Sequence, residues 1–165
     1  VLQIHDGTSA KSYLRTDTYN ETVWNNGGIP YDLGAVNDGA FVDIAGASIT
    51  FTVNAPGRYY VSFEFNAFFT ISAGSAGGRA TDFRLTDGTT NQKVNRVQHS
   101  SDDTGLLGSG VEYPLLLIGV FNFTTTGSKT VKLQKQNIST VGVGSRNIGN
   151  ISNVNIAMKA FRIAD

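Results

Sequence analysis

The chain has no cysteine among its 165 residues, so neither a disulfide framework nor a structural thiolate zinc site holds it together. It has little acid–base chemistry: two histidines, His5 and His99, three glutamates, and aspartates scattered over turn-rich segments. That supply is too sparse for a catalytic triad, and the expectation is a protein that is not an enzyme and uses no cofactor. It has no net charge, because thirteen basic residues cancel thirteen acidic ones, and so no global field to draw in nucleic acid or an anionic membrane. No run approaches the roughly eighteen apolar residues that cross a bilayer, and no membrane insertion is expected. Val1-Leu2-Gln3-Ile4 lacks the charged start of a signal peptide, and no stretch carries convincing helical periodicity.

What is present points to strands. Nineteen glycines, ten phenylalanines, six tyrosines and many Thr, Ser and Asn favour short strands joined by tight turns, since aromatic and β-branched side chains suit a pleated, half-buried surface. One all-β domain over residues 1–165 is the result, long enough to bury a single core. The clearest stretch is Ile49 to Thr70. Apolar and polar residues alternate on both sides of Asn54-Ala55-Pro56-Gly57, which reads as a hairpin. Ile49, Phe51, Val53, Tyr59, Val61, Phe63, Phe65 and Ala67 are assigned to the core, with Arg58, Tyr60, Ser62, Glu64 and Asn66 opposite. A second hairpin runs from Asp82–Thr86 through Asp87-Gly88 to Lys93–Gln98.

Further strands are expected at Val1–His5, Ser12–Arg15, Thr130–Gln136 and Asn155–Ile163, giving nine or ten in all. Leu115 to Phe121 is apolar on both strand faces, so something must cover its second side. Trp24 to Asp32, residues 98–112 and Val141 to Asn153 read as loops, the second one long and exposed.

Two loops carry the candidate ligand-binding residues: Trp24, Asn25, Asn26, Tyr31 and Asp32 in one, His99, Asp102, Asp103 and Tyr113 in or beside the other. An indole face stacks on sugar rings while amides and carboxylates bind hydroxyls, which is what a glycan site uses. The competing reading makes Trp24 a plug of the barrel end or a subunit contact. Asp102 with Asp103, or Asp38 with Asp43, supplies oxygens, but neither pair has the spacing of a calcium loop, so solvated loop acids are expected and no metal site is assigned. Four Asn-x-Ser/Thr triplets, at Asn20, Asn122, Asn137 and Asn150, receive no role.

Phe51-Thr52-Val53-Asn54-Ala55-Pro56-Gly57-Arg58-Tyr59-Tyr60-Val61-Ser62-Phe63 resembles the signature stretch of C1q-like domains, an inward Phe, a Pro-Gly turn and a Tyr-Tyr pair leading into an aromatic strand. Gly127 to Gln134 is similar to that family's penultimate strand, and Ala160-Phe161-Arg162-Ile163 to its closing one. The resemblance implies an antiparallel ten-stranded jelly-roll sandwich of the C1q and tumour-necrosis-factor type, assembled as a homotrimer. In that trimer Tyr60, Leu116, Ile118 and Val120 are the expected interface residues, which would cover the second apolar face. The absence of cysteine and of a collagen repeat sets the chain apart from animal members and nearer to the tips of trimeric phage or bacterial surface fibres. The chain also begins within an apparent strand, which suggests a piece of something longer, by the resemblance the C-terminal tip of a fibre protein, and a processed mature protein would look the same.

By that analogy the function is a non-catalytic adhesin that recognises a cell-surface glycan or protein, located outside the cell, on its surface or on a virion tail fibre. A monomeric carbohydrate-binding module of an extracellular enzyme, or a structural trimerising cap without ligand, are the competing expectations.

Overall fold

The computed structural model describes residues 3–5, 10–12, 19–26, 29–34, 37–71, 77–92, 94–101, 109–140, 145–149 and 155–163, and among them every regular element is a strand. In chain order these are β1 (Gln3–His5), β2 (Ala10–Ser12), β3 (Asn20–Asn25), β4 (Tyr31–Asp32), β5 (Val42–Val53) and β6 (Gly57–Ile71). Then come β7 (Gly77–Thr86), β8 (Asn95–Ser101), β9 (Ser109–Phe123), β10 (Gly127–Thr140), β11 (Arg146–Ile148) and β12 (Asn155–Arg162). The expected strand Ser12–Arg15 shares only Ser12 with β2, its other residues lying outside the described ones, and the strands missed by alternation are β3, β4 and β11. They are short, rich in Asn, or set beside turn residues, so pairing and not pattern defines them.

β1 and β2 pair with each other, and the rest form two antiparallel sheets packed as a β-sandwich. One sheet has the order β5-β10-β7-β8. In the other, β9 runs along one edge of β6 from Gly57↔Phe123 to Ile71↔Ser109. The opposite edge of β6 is shared: β12 takes Tyr59 to Glu64 and continues to β3, while β11 takes Ala67 to Phe69 and continues to β4.

Ile49 to Thr70 is therefore not a hairpin. β5 pairs with β10 in one sheet and β6 with β9, β11 and β12 in the other. The alternation is as read: Ile49, Phe51, Val53, Tyr59, Val61, Phe63, Phe65 and Ala67 are all buried. Those two apolar rows face each other across the interior instead of lying side by side, because an alternating pattern specifies which face is wet and not which neighbour is paired. Asn54-Ala55-Pro56 is a corner between sheets, and Gly57 at φ 144° turns the chain where a side chain would be strained.

The second hairpin does pair, from Phe83↔Asn95 to Gly77↔Ser101. Its turn is closed by the Asp87 carboxylate, which accepts from the N–H groups of Thr89 at 2.8 Å and Thr90 at 2.6 Å. The described part of residues 98–112 is strand, since β8 runs through Ser101 and β9 starts at Ser109, and residues 102–108, Asp102 and Asp103 among them, lie outside the described residues.

The interior has two different ends. Near the corner, Phe51, Tyr59, Phe121 and Phe123 form an aromatic cluster with ring centroids 5.6–6.2 Å apart. The Tyr59 hydroxyl donates to the Ala55 carbonyl at 2.8 Å, which ties the cluster to the turn. Toward the other end the inward positions of β7, β8 and β10 change from Phe83, Leu85, Val97 and Leu133 to Arg79, Thr81, His99, Lys135 and Asn137. Arg146 enters from the opposite sheet with no exposed surface. Leu33, Gly34, Asn37 and Asp38 close this end over β10. The Leu33 carbonyl accepts from Asn137 Nδ2 and Lys135 Nζ, both at 2.7 Å, and the Asp38 carboxylate from Lys135 Nζ and the Asn137 N–H, both at 2.8 Å.

Candidate functional site

The outer face of the β9-β6-β12-β3 sheet gathers side chains that are far apart in the chain. The register aligns Val120, Tyr60 and Phe161 in one row. Ile118, Ser62, Lys159 and Glu21 form the next, and Leu116, Glu64, Ala157 and Val23 the one after. Pro114 and Asn66 pair next, then Glu112, Phe68, Asn147 and Asp32 form a row. Tyr60 stacks on Phe161 with centroids 4.7 Å apart.

Leu116, Ile118, Val120 and Val23 are 53%, 47%, 41% and 57% exposed, so the aliphatic strip along β9 meets water in a single chain. A strip of this kind marks an interaction surface more often than chance. Beside it lies a depression of about 430 Å3 lined by Glu64, Asn66, Pro114, Leu116, Asn155 and Ala157.

The free edge of β9 is less inviting than its face. Gln92 Nε2 donates to the Val120 carbonyl at 2.9 Å, which shows that the even-numbered residues of β9 direct their backbone groups away from β6. Pro114 belongs to that set and has no N–H to offer. One residue thus caps the edge and another interrupts it, the usual protection against strand addition.

All four residues expected at a subunit interface, Tyr60, Leu116, Ile118 and Val120, lie on this one face. Arg58, already read as outward, shares it, and so do Val23, Ala157 and Phe161, which were not singled out from the sequence. Their alternation is visible there, but the alignment of Ala157 and Phe161 with β6, and of Val23 through β12, depends on pairings between strands about a hundred residues apart in the chain.

The expected ligand-binding residues are dispersed. Trp24 is in β3 and not in a loop, opposite Ile156 on the inward side, with its ring edge-on to Tyr31 at 5.7 Å. Its indole lies over Gly46, where β5 bulges against β10 between Lys132 and Gln134 and where φ is +80°. A Cβ there would strike the indole and strain the backbone together. Asn25 closes β3, and Asn26 Nδ2 donates to the Ile29 carbonyl at 3.2 Å within the turn. Asp32 faces outward and accepts from the Gly34 N–H at 2.8 Å.

His99 and Tyr113 meet inside the sandwich, Nδ1 to hydroxyl at 3.1 Å, and His99 is only 8% exposed. Burial pushes the imidazole below the usual histidine range and the Tyr113 phenol above its own. Burial also lowers the Arg146 guanidinium, to about 10, with Arg79 adding to the shift and Asp38 opposing it. Asp38 itself would be raised by burial, but the Lys135 ammonium and the Asn137 N–H hold it below the ordinary carboxylate range. Asp43 is held low by Lys132 and Gln134, so these two acids are paired and not merely solvated. Among the described residues no three His, Cys, Asp or Glu side chains converge as a metal site would require.

Fold and face define an all-β, two-sheet antiparallel sandwich with one outer face partly apolar. No protein-family model matches the chain, and no curated protein does. Among solved structures it is similar to dimeric latent PorU from Porphyromonas gingivalis, at 14% identity and a TM-score of 0.40, over 95% of this chain and 14% of that one. The chain thus spans a small fraction of that protein's length, and a likeness at this level carries no argument about function.

Proposed function

We propose that this domain works by association and not by catalysis: a homotrimeric jelly roll of the C1q and tumour-necrosis-factor type, acting as an adhesin toward a cell-surface glycan or protein. The observation that carries the reading is the outer face, where β9 presents Leu116, Ile118 and Val120 beside Tyr60 and Phe161. Covering such a strip stabilises an assembly by roughly 25 cal/mol per Å2 of apolar surface removed from water.

The strand orders β5-β10-β7-β8 and β9-β6-β12-β3 support the jelly roll, since from β5 to β10 consecutive strands cross from sheet to sheet except at the β7-β8 hairpin, as two wrapped Greek keys do. A capped and interrupted β9 edge favours docking on the face over strand addition. The number three rests on the resemblance of residues 51–63, 127–134 and 160–163 to the C1q-like pattern. A cyclic trimer is closed by a heterologous contact, one face of each copy against a different surface of the next.

Native mass spectrometry at micromolar concentration tests the assembly: a trimer is expected, and Leu116→Asp or Ile118→Asp yields folded monomer or aggregate. A parent that stays monomeric would overturn the reading in favour of a monomeric carbohydrate-binding module. Adhesion is tested by a glycan array and by binding to cells, and a trimer that binds neither leaves a trimerising cap. Since Trp24 packs inward, Trp24→Ala is expected to lower the melting temperature before it alters any binding.

A further inference from the structure

The β7–β8 hairpin stops short of the end of its own sheet. β10 pairs with β5 from Gly127↔Val53 but with β7 only from Lys132↔Thr86, so Gly127 to Val131 run on beyond the hairpin. In the opposite sheet β9 ends at Phe123, and Thr124-Thr125-Thr126 carries the chain across to Gly127. A depression of about 290 Å3 is left between the two turns. Asp87 and Thr89 line it from the hairpin turn, Asn122 and Thr125 from the end of β9 and the turn after it, and Lys129 and Thr130 from the overhanging part of β10. It shares no residue with the depression beside Leu116.

The polar groups around this depression are held in place yet keep hydrogen-bonding capacity. Asp87 Oδ1 accepts the N–H groups of both Thr89 and Thr90, which leaves Oδ2 as an acceptor that no described residue uses. Lys129 Nζ spends one of its three hydrogens on Thr125 Oγ1 at 2.8 Å and lies 5.9 Å from the centre of the Phe123 ring. Gln92 Nε2, on the Val120 carbonyl at 2.9 Å, ties the return of the hairpin to β9, so the two walls keep their spacing. Phe123 is only 6% exposed and offers no ring face to stack on.

The two charges select against charged ligands, since an anion meets Asp87 and a cation meets Lys129. A neutral molecule that gives and takes hydrogen bonds at adjacent atoms suits both: vicinal hydroxyls of a sugar ring donate to a carboxylate and accept from an ammonium or an amide. The volume stands at the lower bound of small-molecule sites, roughly 300–1,000 Å3, which fits a single ring and not a chain. We infer that this depression is a subsite for one neutral saccharide residue, with Asp87 Oδ2 accepting from its hydroxyls and Lys129 and Asn122 donating to its oxygens. The inference rests on the adhesin reading above and places the glycan away from Trp24 and His99. With no ring to stack on, each site is expected to bind at about millimolar strength, and copies acting together would raise it.

NMR titration of the isotope-labelled chain with the methyl glycosides of glucose, galactose, mannose, fucose and N-acetylglucosamine tests this, with methyl glucuronide as the charged counterpart. Saturable movement of the Thr89, Thr90, Thr125 and Lys129 amides is expected with at least one neutral glycoside. Asp87→Asn and Lys129→Met are each expected to weaken that binding about tenfold or more, the loss of one hydrogen bond to a charged group. Asp87→Asn retains an oxygen to close the turn, and circular dichroism checks the fold of both variants. Should one fail to fold, the parent's own shift map and the other variant decide. Saturable shifts confined to other residues, or an affinity unchanged in both variants, overturn the inference and leave the adhesin reading standing with its site elsewhere. A preference for the glucuronide overturns the neutral assignment. If no glycoside moves any amide, the subsite is overturned, and binding to cells then decides the adhesin reading without it.

Discussion

The two ends of the sandwich interior are built from different strands and in opposite chemistry. Near Pro56-Gly57 the inward positions are Phe51, Tyr59, Phe121 and Phe123, held by ring contacts; at the other end they are Arg79, Thr81, His99, Asn137 and Arg146. Rings tolerate many mutual arrangements of similar energy, whereas buried polar groups demand particular partners. The aromatic end therefore supplies stability through burial. The polar end, by locking Leu33 and Asp38 onto β10, specifies where the chain between β4 and β5 must lie.

Substitutions that separate those contributions sharpen the contrast. Phe121→Ala, which empties a fully buried ring position, is expected to cost about 3–5 kcal/mol in a denaturant titration, with no local signature. Asn137→Ala takes away the donor to Leu33 and the acceptor for Thr81 Oγ1, and is expected to cost about 1–3 kcal/mol. Its mark is local: amide exchange at Leu33 and Asp38 rises well before the core opens. If Phe121→Ala also exposes those amides selectively, the two ends are not energetically distinct.

A pH titration of stability reaches the polar end first, near neutrality. His99 is held below the usual histidine range, so the folded protein keeps it neutral while the unfolded chain protonates it near about 6.5. The unfolded state then binds more protons, and stability is lost as pH falls from about 6.5 through the lowered native value. His99→Gln should flatten that part of the melting-temperature profile. Asp38 and Asp43 act lower down: their stabilisation is present above the ordinary aspartate value and is lost as pH falls through their depressed ones. The smallest effect is expected at the surface, where Lys132→Ala breaks a half-exposed pair with Asp43 and costs about 0–1 kcal/mol.

The aromatic end was legible in the sequence because alternation reports wet and dry faces residue by residue, and Ile49 to Ala67 is correct at each assigned core position. The polar end was not legible. Arg79, His99 and Asn137 look like outward residues of Gly- and Thr-rich segments, and only the pairing of β7 with β8 and β10 turns them inward. The candidate face was readable in half. Leu115 to Phe121 declares two apolar sides, but the neighbours of Leu116, Ile118 and Val120 come from β6, β12 and β3, whose alignment no local pattern encodes. Trp24 failed as a loop residue for the opposite reason. Asn, Gly and Pro around it signal a turn, and the six-residue strand it belongs to exists because β12 offers an edge.

The corner at Pro56-Gly57 also bears on how quickly the molecule can form. Strands joined by three residues usually zip together within microseconds and give later strands an edge to join. Here β5 must wait for β10, whose Gly127 pairs with Val53, and β6 must wait for β9, whose Phe123 pairs with Gly57. The best-written stretch of the chain thus has no early partner of its own. Its two strands remain open until most of the polypeptide has been collected, as in β-sandwich topologies that fold on the millisecond-to-second scale.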